Sequence, residues 1–164
     1  MIFGMSLAAF TVLHVIISLI AIVSGVVVVI AMLRARRVPG WTALFLVMTI
    51  LTSATGFMFP IHGFTPALGV GSISLVVLLL AVIALYALKL RGAWRWIYVV
   101  TAVVALWFNI FVLIVQSFQK IPFLHALAPT QSNEPAFIAA QGGAFVILLA
   151  LCAFALFRFR PVAP

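Results

Sequence analysis

The chain has 164 residues, of which 68% are hydrophobic and 6% charged, with a mean hydropathy of +1.44. A water-soluble domain of this length carries roughly 25% charged residues to solvate its surface, so a soluble fold is excluded. Nine Lys and Arg against one acid give a net charge of +8, a balance that in a soluble protein suggests nucleic acid, but no soluble basic element exists here to carry it.

Apolar runs of about 18 or more residues mark bilayer spans, because a helix needs about 20 residues to cross roughly 30 Å of hydrocarbon. Five such runs are predicted, which gives an all-α bundle of five transmembrane helices forming a single domain over residues 1–164. The first covers about 6–33. Residues 1–10 contain no Lys or Arg and the run is too long for a signal peptide, so this helix is expected to be retained. Thr11, His14 and Ser18 within it are separated by three and four residues and share one helix face. A basic turn with Arg34, Arg36 and Arg37 leads to the second span, about 41–59, which carries Thr52, Ser53 and Thr55. The loop FPIHGFTP then places His62 before a third span at about 67–88, with Ser72 and Ser74.

Lys89, Arg91 and Arg95 join the third span to the fourth, about 96–117, where Asn109, Gln116 and the following Lys120 again share a face. The segment IPFLHALA, 121–128, contains His125 and is apolar but too short to span, so it is expected to lie in the interface as a lid or a plug. Ser132, Asn133, Glu134 and Pro135 have the character of a helix start, with the acid near the positively polarised end. The fifth span, about 136–157, contains Gln141 and the single Cys152 and is followed by Arg158 and Arg160. One thiol forms neither a disulfide framework nor a CxxC site.

Eight of the nine basic residues, Arg34, Arg36, Arg37, Lys89, Arg91, Arg95, Arg158 and Arg160, fall on one side of this arrangement. The positive-inside rule makes that side cytoplasmic, with the N-terminus outside, the C-terminus in the cytoplasm and the protein multi-pass in a bacterial inner membrane. The arginines are anchors in the lipid bilayer, and binding of anionic head groups is compatible with the same geometry. The segments RARRVPGW and KLRGAWRW echo one another as basic turns closed by Gly and Trp.

Polar side chains inside a bilayer are costly unless they face another helix or a wet cavity. At about 1.5 Å per residue from the outer helix ends, His14 lies about 9 Å deep, Gln141 about 8 Å and Asn109 about 12 Å. An outward-opening pocket lined by His14, Ser18, Asn109, Gln116 and Gln141 is therefore expected. All three histidines belong to that side, and His14, His62 and His125 with Glu134 are a candidate set for a transition metal, or two of the histidines for haem. The opposing reading makes His14 a neutral hydrogen-bonding imidazole, the other two histidines interfacial loop residues, and Glu134 part of a helix start. No nucleophile stands beside a base and no phosphate-binding glycine loop occurs, so an enzyme is not expected.

Five helices in this length resemble the tryptophan-rich sensory protein family, but the four scattered Trp do not match its Trp-Pro-rich helices. The layout is also similar to the haem subunit of respiratory nitrate reductase, whose paired helical histidines have no counterpart beyond His14. The pattern LHVIISLIAIVSG, a basic turn, then TSATGF resembles small bacterial polytopic membrane proteins without an assigned function, over about the first 60 residues. Three functions follow as expectations: an outward-facing pocket for a cofactor or small hydrophobic ligand, a non-catalytic subunit of a larger membrane complex, and a homo-oligomeric transport or channel unit. Small-xxx-small pairs such as Ala21 to Gly25 and Ala139 to Gly143 permit the close helix approach that assembly needs.

Overall fold

The structure is a computed structural model that describes residues 4–60 and 66–160. Among these, the regular elements in chain order are the helices α1 (Leu7–Leu33), α2 (Pro39–Gly56), α3 (Pro66–Val82), which continues into a π-helical turn (Ile83–Ala87), α4 (Trp94–Lys120), α5 (Pro122–Leu127) and α6 (Pro135–Arg158).

Local chemistry sets these boundaries. Ser6 Oγ accepts from Ala9 N at 3.2 Å and caps α1. At the other end Arg36 N donates to Ala31 O at 2.9 Å and Ala35 N to Met32 O at 3.0 Å, the paired closure of a Schellman motif. Its left-handed position is held by Ala35 at φ 53° instead of the usual glycine. Prolines open α2, α5 and α6, where their missing N–H removes no helical hydrogen bond. The third expected span is not a uniform α-helix: in its last turn Leu88 N reaches Ile83 O at 2.9 Å, five residues back.

Four helical stretches, Leu7–Leu33, Leu68–Ala87, Trp94–Lys120 and Pro135–Arg158, are long and apolar enough to cross a membrane. The expected second span is not among them. α2 has 18 residues, about 27 Å at the helical rise, and includes Thr42, Thr49, Thr52, Ser53 and Thr55. It ends at Gly56, and residues 57–59 leave the helix, short of the expected boundary at 59.

α2 packs between α1 and α3, while α4 packs against α1, α3, α5 and α6. The core uses Val28, Met32, Phe45, Leu78, Val99 and Leu106 from the first four helices. Gly25 allows its closest approach: a Cβ there would stand 2.8 Å from both Leu106 Cδ1 and Phe45 Cε2. By contrast α6 buries only Leu148 and Ala155 and exposes Val146 and Phe154, each 63%, and Phe157, 74%. Such a surface carries little cost against lipid tails, which are as apolar as the side chains.

The basic residues also tie helix ends. Arg95 Nη1 donates to Leu156 O at 3.1 Å and to Phe159 O, and Arg158 Nε donates to Leu33 O at 3.4 Å. Carbonyls left over at the C-terminal ends of α6 and α1 thereby gain charged donors. These contacts gather the end of α1, the start of α4 and the end of α6 at one end of the bundle.

Candidate functional site

Toward the opposite end, α1, α2, α3 and α4 enclose a cavity of about 590 Å³, within the few hundred to a thousand Å³ typical of small-molecule sites. Four of the five pocket residues expected from the sequence line it: His14 and Ser18 from α1, Asn109 and Gln116 from α4. Thr11 and Lys120, on the same helix faces, line it too, as do Ser53 of α2 and Ser74 of α3. The remainder is mainly apolar, including Val15, Ile22, Phe57, Phe59, Phe108 and Val112. Phe57 fits because Gly71 opposite has no side chain; a Cβ there would stand 3.2 Å from its ring.

The hydrogen-bond network defines what these walls present. His14 Nδ1 lies 2.7 Å from Thr55 Oγ1. Thr55 has one hydroxyl hydrogen, already directed to Leu51 O at 2.7 Å, with a longer contact to Thr52 O at 3.2 Å. With that hydrogen on Leu51 O, His14 donates from Nδ1 and Nε2 is left as an acceptor; a hydroxyl turned to the ring would reverse the pair. Phe59 meets the imidazole edge-on, with ring centroids 5.3 Å apart.

Asn109 is similarly fixed. Its Nδ2 donates to Thr49 Oγ1 at 3.2 Å, while that hydroxyl donates to Phe45 O at 2.8 Å. The amide nitrogen must face Thr49, and Oδ1 has no donor among the described residues. Most cavity hydroxyls also turn their hydrogen back into their own helix: Thr11 to Leu7 O at 2.9 Å, Ser18 to His14 O at 2.7 Å, Thr52 to Met48 O at 2.9 Å and Ser117 to Leu113 O at 2.8 Å. Ser53 instead donates to Ser74 Oγ at 3.3 Å, joining α2 to α3. These hydroxyls meet the bilayer's demand for internal satisfaction and keep lone pairs available. The cavity wall thus offers acceptors, namely His14 Nε2, Asn109 Oδ1 and hydroxyl oxygens. Its donors are the Ser74 hydroxyl, whose hydrogen is taken up by no described residue, the Gln116 amide N–H and, at the outer end of α4, the Lys120 ammonium.

Gln141 stands elsewhere. Its Nε2 donates to Phe111 O at 3.2 Å, on the side of α4 that packs against α6, where Trp107 meets Phe145 at 5.4 Å between ring centroids. Gln141 Oε1 and Trp107 Nε1 are both buried without a hydrogen-bond partner among the described residues. A common depth did not place Gln141 on the common side of α4.

The expected metal set is not assembled among the described residues, where no three His, Cys, Asp or Glu side chains stand together to hold a metal. His14 lines the cavity, His125 is exposed on α5, and His62 lies outside the described residues. Glu134 has a local role: Oε1 accepts from Thr130 N at 2.8 Å and from Thr130 Oγ1, and Oε2 accepts from Ser132 N at 2.8 Å. The Thr130 side-chain bond is the largest influence holding this carboxyl at about 2, well below its ordinary range, with the Thr130 and Ser132 backbone adding to it. Glu134 is also the N-cap residue of α6, but its side chain folds back onto the preceding loop and makes no capping bond. Compared with protein-family models, curated proteins and solved structures, the chain matches none.

Proposed function

We propose that this chain is a membrane-embedded binding protein whose outward-facing cavity takes a small amphipathic molecule. Its ligand has an apolar body, a hydroxyl or N–H donor that meets His14 Nε2 and Asn109 Oδ1, and an acceptor or anionic group toward Gln116 and Lys120. The observation that carries this reading is the division of polar roles in the roughly 590 Å³ chamber: acceptors on its wall, and an amide and an ammonium along one face of α4. The close packing of Gly25, Phe45 and Leu106 supports a closed pocket over a continuous path through one chain. The proposed topology has five membrane-crossing helices, with α2 sheltered between α1 and α3. The N-terminus is outside and the basic end faces the cytoplasm of a bacterial cell, as the sidedness of the Arg and Lys residues favours.

Native mass spectrometry of the detergent-purified chain with 12-hydroxydodecanoate, dodecanoate and dodecane tests the assignment. The hydroxy acid is expected to bind at the lowest concentration. Its advantage over dodecanoate is expected to vanish in His14→Phe, and both acids to weaken in Lys120→Ala. Equal retention of all three probes would overturn the reading. The same Nε2 lone pair is the feature that would serve an axial haem ligand, so a Soret band lost in His14→Ala would replace the amphipathic ligand with haem.

A further inference from the structure

The basic end of the bundle contains a second cavity, separate from the first, of about 80 Å³. This is roughly the space of two or three liquid waters and suits a single compact polyatomic group. Arg36 and Arg37 line it from the α1–α2 turn, together with Thr42 of α2 and Tyr98 of α4. Thr42 is only 6% exposed and Tyr98 2%, and both line the same cavity as Arg37. Val38 and Pro39, at the start of α2, complete that side, and this helix begins with no side-chain cap. Its first N–H groups and dipole add positive potential. The π turn contributes Leu85 and Tyr86 to the lining, and such turns recur at functional sites.

The chain has no acidic side chain near this cluster among the described residues. Its single acid, Glu134, lies at the start of α6, the end opposite Arg158, and is engaged with Thr130 and Ser132. The Arg36 and Arg37 guanidiniums make no hydrogen bond to any described residue, whereas Arg95 and Arg158 are taken up by helix carbonyls. Two guanidiniums without a hydrogen bond among the described residues, two buried hydroxyls and an uncapped helix start are complementary to a phosphate group, which presents several acceptor oxygens and negative charge.

We propose that the basic-end cavity binds a phosphate group, supplied by a phospholipid head or by free phosphate, through Arg36, Arg37, Thr42 and Tyr98. The test uses the full chain in detergent, with dioleoylphosphatidylglycerol, dioleoylphosphatidylcholine and inorganic phosphate as probes in native mass spectrometry. Phosphatidylglycerol is expected to bind in preference to phosphatidylcholine. Affinity for it should fall about tenfold or more in R36Q/R37Q and about fivefold in Tyr98→Phe, while K89Q/R91Q, with the same charge loss, stays near the parent. Circular dichroism checks that each variant keeps its helicity, and Tyr98→Phe retains the ring that packs the core. Displacement of the lipid by inorganic phosphate assigns the site to free phosphate; retention assigns it to lipid. Equal losses in the two double variants, or no preference for phosphatidylglycerol, would overturn the proposal.

Discussion

The Nδ1 atom of His14 and the Oγ1 atom of Thr55 lie 2.7 Å apart and join α1 to α2 beside the larger cavity. With the Thr55 hydrogen on Leu51 O, the imidazole donates from Nδ1. ¹⁵N NMR of the ring is expected to show a protonated Nδ1 and a bare Nε2; the reverse pattern would refute the assignment. Thr55→Val removes the acceptor while keeping the side-chain shape. A loss of about 1 kcal/mol is expected in thermal unfolding.

Gly25 sits against Phe45 and Leu106 with no room for a methyl group. Gly25→Ala must displace one of these rigidly packed side chains, at a cost of about 1–3 kcal/mol. A lowered unfolding midpoint in detergent is the expected result. The same substitution at Gly142, where a Cβ would meet nothing within 4 Å, is the control and should leave the midpoint unchanged or raise it.

Ala35 occupies the left-handed position of the turn that ends α1, at φ 53°. An L-residue with a Cβ pays roughly 1–2 kcal/mol there that glycine avoids. Ala35→Gly is therefore expected to stabilise the protein by about 1 kcal/mol, less than the full penalty because glycine loses more freedom on folding. A drop in stability would show that the Schellman geometry is not what holds this turn.

Glu134 ties down the loop before α6, and its carboxyl is held at about 2. A depressed folded value means that the ionised form is the one favoured by folding, so its contribution is present above the ordinary carboxylate range and is lost as pH falls from there toward about 2. Hydrogen exchange at the Thr130 and Ser132 amides should be slow at neutral pH. It should accelerate, relative to the intrinsic rate, across that acid window. Glu134→Gln should show the accelerated behaviour at every pH, and unchanged protection in this variant would remove the carboxylate from the account.

Gln141 donates to a carbonyl that already serves its own helix, while its Oε1 is buried without a partner. Gln141→Leu removes the orphaned acceptor and keeps an apolar side chain against α4. Stability is expected to hold or to rise by up to about 1 kcal/mol, and 12-hydroxydodecanoate binding should not change.

Much of the larger cavity follows from helical spacing. Thr11, His14 and Ser18, like Asn109, Gln116 and Lys120, share a face by their separations alone, and all six line one chamber. Rotation about the helix axis in the bundle is a different quantity. Distance from a helix end gives the height of Gln141 and says nothing of which side of α4 it meets. The pairing of Ser53 with Ser74, and the fit of Phe57 over Gly71, depend on contacts between helices that no single-helix period contains. α2 carries the same lesson: its apolar run suggests a full span, but the helix stops at Gly56, and Thr49, Ser53 and Thr55 bond to neighbouring helices.

Phe45 and Leu106 meet over Gly25 in the packed middle of the bundle. The larger cavity and the smaller basic-end cavity share no lining residue across this junction. If the larger cavity binds the proposed ligand, this closure predicts exchange with one side of the membrane only. Such sidedness would follow from the native packing itself, with no moving gate required to maintain it.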